Sequence, residues 1–533
     1  MKKMLPVLSA LFSGLLLSAA WPANGFAPLV LIAFVPLLLQ LNSILNGTSD
    51  YKYLKITGLS YLTFFIWNLL TTWWVWNSTP EGGVTAVVCN ALFMAVVVVL
   101  SAYSGKALGS RIGKYALILY WIAFEYVHAD WDLSWPWLTL GNVFASLPQW
   151  IQWYEYTGTT GGTLWILTIN LLVVDIVREK TYKKVTSILP VVAVFLLPVG
   201  FSYYRYFTWK DTGDSLTVRI IQPNIDPWND KYGGMTSEQQ LARMYQLMIA
   251  DKSCSPDVYI LPETAYPFGV MYEELDSTSR FDMFRSVLKS GKPASVLLGI
   301  TDFRKFDKNA GDTIPLSAEP IEGMEGSYYD DYNSAILLDS GRSWQLYHKS
   351  KLVPGPEMLP FASLLKPFQN SIFKQLGPVG NLGTQNERTV FRLKGGATTA
   401  PIICYESVYG DFVTEYVRKG ASFLSIITND GWWGNTPGHK QHFQYARLRA
   451  VENRRWVARS ANTGISGVIN ARGDVVTQTP YWTEAAFCSE IRLNTELTPY
   501  TKSGDLIGRM SLFTALTLLL YVFVRGYLKK RAY

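Results

Sequence analysis

Charge is scarce in this chain. Asp, Glu, Lys and Arg make up 17% of its 533 residues, against 49% hydrophobic residues. That balance excludes a wholly water-exposed or disordered protein and puts part of the chain in lipid. Cysteine is scarce too, with four residues and no C-x-x-C pair, which argues against a thiolate zinc site or a dithiol redox motif. Cys89 lies inside an apolar run and reads as packing. Cys254 and Cys488 are a candidate disulfide in an oxidising compartment, a pairing that spacing alone leaves open. A basic stripe is missing, so the net charge of +7 does not point to nucleic acid. No internal repeat or low-complexity linker is present.

Lys and Arg are also absent from the short loops 22–25, 77–83 and 130–162. Those loops alternate with basic ones, between apolar runs at about 5–22, 26–43, 56–76, 84–104, 114–129, 163–178, 186–204 and 506–524. Each run reaches or nearly reaches the ~20 residues that carry a helix across ~30 Å of hydrocarbon. The expectation is eight transmembrane helices with both termini in the cytoplasm, following the positive-inside rule. The long segment 205–505 then falls in the periplasm of a bacterium, with the chain held in the inner membrane. A cleaved leader over 1–22 is the rival reading of Lys2, Lys3 and the apolar core after them. The expected parts are a transmembrane domain over 1–205, a catalytic domain over 206–500, and a helix with a basic tail over 501–533. Trp131, Trp135, Trp137, Trp150 and Trp153 crowd one loop, as a belt at headgroup level or as a platform for lipid.

Between the spans the pattern changes. Short β-branched runs begin at Leu216, Val258, Ser295, Ser334, Ala400, Phe423, Trp456 and Gly467, interleaved with helical stretches at 237–251, 280–289, 411–419 and 439–454. That alternation predicts an α/β domain of layered sheets and helices. Three stretches in it carry chemistry: Leu-Pro-Glu-Thr at 261–264, Tyr-His-Lys at 347–349 and Ile-Ile-Cys-Tyr-Glu at 402–406. Each ends an apolar run on one reactive side chain: Glu263, Lys349 or Cys404. A carboxylate to take a proton, an ammonium to steady negative charge and a thiol nucleophile are the parts of acyl transfer through a thioester. On the residues alone, a buried core cysteine remains the alternative for Cys404. Lys351 shares a strand face with Lys349 and competes for its role. His439 and His442, three apart on a helix, read as packing or polar contacts rather than a metal pair, since no third ligand stands out. The apolar stretch 361–376, broken by Lys366 and Pro367, is either a core loop or an arm dipping into the membrane.

The motifs carry a resemblance. Leu-Pro-Glu-Thr, Tyr347-His348-Lys349 with Leu352-Val353-Pro354 and Glu357, Cys404-Tyr405-Glu406 and Asn429-Asp430-Gly431-Trp432-Trp433-Gly434 resemble the nitrilase superfamily. With spans on both sides, Gln441 to Arg447 and Arg459 to Gly464, the chain is similar along nearly its whole length to the bacterial apolipoprotein N-acyltransferases. The resemblance implies an α-β-β-α sandwich on eight transmembrane helices. It also implies transfer of the sn-1 acyl chain of a phospholipid, usually phosphatidylethanolamine, to the α-amine of a diacylglyceryl-cysteine lipoprotein, with no metal or organic cofactor. The family's catalytic triad falls on Glu263, Lys349 and Cys404 and its second glutamate on Glu357, with Tyr405 and Glu406 in support. Trp228, Asn429 and Trp432 are the implied substrate-binding residues. One departure is plain: the family commonly reads Val-Pro-Phe-Gly-Glu where this chain has Val353-Pro354-Gly355-Pro356-Glu357, and proline removes an amide donor. A membrane-anchored amidase using the same triad with water as acceptor is the alternative.

Overall fold

The computed structural model describes residues 4–48, 50–251, 253–276, 279–289, 292–341, 343–365 and 380–531. The chain divides into two compact units. One comprises Met1–Trp76, Pro80–Thr208 and Ser503–Tyr533; the other comprises Asn77–Thr79 and Trp209–Lys502.

The first unit is helical. Among its described residues five helices are long and apolar enough to cross a membrane: Ala27–Asn46, Pro80–Leu108, Tyr154–Glu179, Val185–Thr208 and Leu506–Leu528. Leu5–Ala20 is a shorter apolar helix. Lys52–Thr72 and Ser110–His128 are helices over the third and fifth expected spans. They carry more polar side chains, and Thr63 and Asn68 of the first are buried against neighbours. The Trp-rich loop winds through short 3-10 turns at Pro136–Leu138, Leu140–Ser146 and Pro148–Trp150. Trp137 is buried against Trp74, with ring centroids 4.9 Å apart. That indole packs inside the unit, so it does not serve a headgroup belt.

The second unit is α/β. Its strands are β1 (Ser215–Gln222), β2 (Val258–Ile260), β3 (Gly269–Met271), β4 (Ser295–Asp307), β5 (Glu319–Pro320), β6 (Ser327–Leu338), β7 (Trp344–His348), β8 (Phe391–Arg392), β9 (Thr398–Ile403), β10 (Phe423–Thr428), β11 (Val457–Ala461), β12 (Gly467–Ile469), β13 (Val475–Gln478) and β14 (Ala485–Arg492). One sheet runs β14-β1-β2-β4-β6-β5, with β3 on β4 and β7 on β6; the other runs β13-β12-β11-β10-β9-β8. β10 is buried along its whole length between parallel neighbours β9 and β11, and its sequence Phe-Leu-Ser-Ile-Ile-Thr is correspondingly apolar. Helices Ser237–Ile249 and Asp282–Leu288 cover the larger sheet, packing Met244, Met248, Phe284 and Leu288 against Ile221, Val296, Leu298 and Ile336. Helices Gly410–Arg418 and Pro437–Asn453 belong to the smaller sheet. The sheets meet each other directly, with Ser460 Oγ donating to Ile221 O at 2.7 Å.

β4 and β6 run well past their predicted limits as a 13- and a 12-residue strand. Their extra halves, Thr301–Asp307 and Ser327–Asn333, are polar and pair with each other in antiparallel register. Hydropathy alone reads such residues as loop. Cys254 and Cys488 form a disulfide across a Cα–Cα distance of 6.4 Å, tying the approach to β2 onto β14. Of the stretch 361–376, only 361–365 lies within the described residues, and Leu364 there is exposed.

Candidate active site

Glu263 sits two residues past the apolar segment that ends at Leu261. The backbone of that turn is pinned to β4, with Leu261 N donating to Leu297 O at 2.9 Å and Gly299 N to Pro262 O at 3.0 Å. Gly299 is required there, because a Cβ would come within 2.3 Å of Thr264 N. The carboxylate is 7% exposed. Its Oε1 accepts from Asn333 Nδ2 at 2.8 Å and Lys349 Nζ at 3.1 Å, and its Oε2 accepts from Asn429 N at 3.1 Å.

Lys349 follows β7 directly, and its amide donates to Asn333 O at 2.8 Å, which continues the ladder with β6. Its ammonium is buried and also donates to Glu357 Oε1 at 2.7 Å. Asn333 Nδ2 reaches the same Glu357 oxygen at 3.2 Å, so one amide spans both carboxylates. Lys351 lies elsewhere, its ammonium 5.4 Å from the Tyr409 ring centroid.

The Gly355-Pro356 departure has a clear structure. Gly355 adopts φ +94°, Gly355 N donates to Met358 O at 2.9 Å, and Glu357 N donates to Val353 O at 3.1 Å. Val353 N donates to Glu357 Oε2 at 2.8 Å. The amides of Val353, Gly355 and Glu357 are therefore spent within the loop, and Pro356 has none to offer. The loop holds the Glu357 carboxylate and does not turn these amides on a substrate.

Cys404 follows β9 directly and begins a 3-10 turn, Cys404–Val408, ahead of helix Gly410–Arg418. Its φ is +49°, a left-handed conformation that costs a residue with a Cβ roughly 1–2 kcal/mol. A strained strand-to-helix turn of this kind presents a nucleophile at a sheet edge. The side chain is 9% exposed. Burial pushes the thiol well above its ordinary range, and the Glu263 charge adds to this; Lys349 and a hydrogen bond with Thr428 pull it back only in part. Burial also acts on Glu263, but the ammonium of Lys349, with Asn333 and Lys231, outweighs it and holds the carboxyl below its usual value. Burial would lower Lys349; Glu263 and Glu357 overcome that and raise it well above the ordinary lysine range. At neutral pH the cluster thus holds a protonated thiol, an ionised carboxylate and an ammonium.

The other predicted residues divide. Glu406 is fully buried and accepts from Ile403 N at 2.8 Å, Ser350 N at 2.7 Å and Tyr347 OH at 2.6 Å, so it fastens the Cys404 turn to the segment after Lys349. Tyr405 packs its ring edge-on to Tyr409 at 5.2 Å. Asn429 gives its backbone amide to Glu263, and its Oδ1 accepts from Asn462 Nδ2 at 3.3 Å. Trp228 is 55% exposed and meets Trp432 edge-to-face at 5.0 Å, with Tyr232 on the same ring at 6.4 Å.

Sequence reasoning passed over Asn333, Thr428 and Lys231. The last donates to Thr264 Oγ1, and burial lowers its ammonium to about 8 against the opposing pull of Glu263. Its only signal was its position three residues after Trp228.

Two family models match the chain. The apolipoprotein N-acyltransferase N-terminal domain covers residues 13–172, and carbon-nitrogen hydrolase covers 217–496. An apolipoprotein N-acyltransferase of Chlorobaculum tepidum is 32% identical over 98% of this chain and 97% of its own length. The chain belongs to the apolipoprotein N-acyltransferase family. Proteins of the same name from Geobacter metallireducens and Aquifex aeolicus are 28% and 26% identical, over 94% and 81% of this chain and 92% and 88% of their own. Family membership makes the chain an acyltransferase of the nitrilase superfamily, and its apolar helices make it a multi-pass membrane protein.

Proposed function

We propose that the protein moves the sn-1 acyl chain of a phospholipid, phosphatidylethanolamine among them, to the α-amine of a diacylglyceryl-cysteine lipoprotein by two half-reactions on Cys404. The observation that carries this reading is the meeting of Glu263, Lys349 and Glu357 in one hydrogen-bonded cluster, with the charges of Glu263 and Lys349 acting on the Cys404 thiol. In the first half-reaction Sγ attacks the ester carbonyl while its proton passes to Glu263. Lys349 faces the negative charge that grows on the carbonyl oxygen. As Glu263 is neutralised, Glu357 keeps the ammonium paired. Collapse of the intermediate breaks the ester C–O bond, and the departing lysophospholipid oxygen takes the proton from Glu263. In the second half-reaction the amine attacks the thioester, gives a proton to Glu263 and forms the amide. The sulfur leaves and recovers that proton. Trp228 and Trp432 contribute an aromatic wall for lipid or acceptor.

In this reading all eight helices span the inner membrane, both termini are cytoplasmic and the catalytic part over 206–500 is periplasmic. The helical parts are 1–205 and 501–533. The absence of Lys and Arg from alternate loops supports this topology. So does the Cys254–Cys488 disulfide, which persists in an oxidising compartment.

The deciding experiment incubates the purified full chain with phospholipid carrying a labelled sn-1 chain and a diacylglyceryl-cysteine peptide. Mass spectrometry should find the label as an amide on the peptide, with lysophospholipid in equal amount. Label released only as free fatty acid would make the protein a hydrolase and overturn the reading.

A further inference from the structure

A set of buried polar groups that the mechanism does not use lies directly behind the nucleophile. Asp430, His442 and Arg459 are each fully buried. Arg459 donates to Asp430 Oδ2 at 2.7 Å, and His442 Nδ1 lies 2.9 Å from Asp430 Oδ1. Thr428 Oγ1 donates to the same Asp430 oxygen at 2.8 Å. On its other side His442 Nε2 lies 2.9 Å from Ser407 Oγ and 3.2 Å from Cys404 O, and Ser407 Oγ donates to Cys404 O at 2.7 Å. Gly464 leaves the space this requires, since a Cβ there would meet Asp430 Oδ2 at 2.6 Å. A chain of hydrogen bonds therefore runs from a buried carboxylate to the carbonyl of the nucleophile itself.

That carbonyl matters because of where its peptide unit points. The Cys404–Tyr405 peptide is planar and trans, so its C=O and N–H point in opposite directions. Fixing Cys404 O in the histidine–serine clamp fixes the direction of Tyr405 N–H. The same clamp restrains the left-handed turn at Cys404, which has φ +49° and would relax if its carbonyl were released. We propose that Asp430, His442 and Ser407 are positioning residues that set the plane of the Cys404–Tyr405 peptide and so aim the Tyr405 amide at the oxygen of an acyl group attacked by Cys404. The inference rests on Cys404 being the nucleophile of the reading above. It adds how the turn is held for attack on a carbonyl in particular.

Two reagents separate this role from a general loss of structure. A p-nitrophenyl ester acylates the thiol through a tetrahedral oxyanion; iodoacetamide alkylates it by displacement at a saturated carbon, with no oxyanion. Both rates are followed at Cys404 by peptide mass in the full-length detergent-solubilised protein, so Cys89 does not interfere. Ser407→Ala and His442→Gln are compared with wild type. Glutamine retains an N–H donor, so His442→Gln should be milder than His442→Ala. The expected result is a fall of about tenfold or more in ester acylation, with alkylation within twofold of wild type. Equal falls in both rates, or no fall in ester acylation, would overturn the proposal. Ser407→Ala removes one hydroxyl and keeps the comparison readable if a histidine variant folds poorly. Failure of the function reading shows separately, as wild-type protein that reacts with the ester but not with phospholipid.

Discussion

The Lys349 ammonium lies 2.7 Å from Glu357 and 3.1 Å from Glu263. In the proposed mechanism the lysine is thus held by a carboxylate that need not move a proton, which leaves the other free to do so. If Glu263 were its sole partner, each proton accepted there would strip Lys349 of its counter-ion in a buried site, at a cost of several kcal/mol. Glu357→Gln is expected to tighten the Lys349–Glu263 pair and weaken Glu263 as a base. Acylation from phospholipid, followed by intact mass in single turnover, should slow by roughly 10²-fold, within the range that general-base catalysis supplies. A wild-type rate would mean Glu357 serves only the Val353–Met358 loop.

Replacing Lys349 by arginine keeps the charge and loses the fit. A planar guanidinium does not place a compact donor between Glu263 and Glu357. Loss of one donor to a developing oxyanion costs ~3 kcal/mol, about a hundredfold in rate. Lys349→Arg should therefore be nearly inactive. Lys351→Arg should stay within a few-fold of wild type, since Lys351 lies against Tyr409. Steady-state rates of both variants check this, and a dead Lys351→Arg beside an active Lys349→Arg would exchange their roles.

The strand-end positions of Glu263, Lys349 and Cys404 were legible because each is a reactive residue type placed where an apolar run stops. What makes them work together was not legible. Asn333 is an ordinary residue in Tyr-Asp-Asp-Tyr-Asn-Ser, and only the antiparallel pairing of β6 with β4 and β7 brings it under both carboxylates. His442 is paired by spacing with His439, yet the two rings part company. His439 stacks on Tyr481 at 3.8 Å, while His442 turns to Asp430 and the Cys404 carbonyl. Helical spacing reports a shared face, not the partner waiting on it. In the same way the polar halves of β4 and β6 carry no hydrophobic period, because what they satisfy is each other.

The electrostatics of the cluster predict an acid limit to stability. Glu263 and Asp430 both have carboxyls held below the usual range, by Lys349 for the first and by Arg459 and His442 for the second, each overcoming the upward push of burial. In the unfolded chain the same groups take up protons near pH 4. Between that pH and their folded values the unfolded state binds more protons, so stability is present above about pH 4 and lost as pH falls below it. Thermal unfolding in detergent from pH 7 to 3 should show a steep fall below pH 4. Asp430→Asn should be less stable than wild type at pH 7 and shallower in that fall. A parallel displacement of the whole curve would place the acid sensitivity elsewhere.

The proposed thioester is open to direct observation. Exposed to phospholipid without acceptor, wild-type protein should gain the mass of one acyl chain, and neutral hydroxylamine should remove it. Cys404→Ala should gain nothing. Cys404→Ser should lose turnover, because Glu263 is held as a weak base and an alcohol is far less acidic than a thiol. An adduct that survives in Cys404→Ala would assign the nucleophile to another residue.

Topology and covalent structure make a joint prediction. Cys254 and Cys488 are 234 residues apart in sequence, and their bond closes a loop that contains the whole cluster around Cys404. Removing such a bond typically costs about 2–5 kcal/mol. Cys254→Ser should therefore lower the melting temperature of the catalytic part, and Cys488→Ser should lower it equally, with no further loss in the double variant. The bond also needs an oxidising compartment. A phosphatase that is active only after export should accordingly be active when fused near residue 210 and silent when fused after Tyr533. In the same cells, alkylation of unreduced protein should leave Cys254 and Cys488 unmodified. Free thiols at both positions, with an active fusion at the C-terminus, would put the catalytic part in the cytoplasm and reverse the proposed topology.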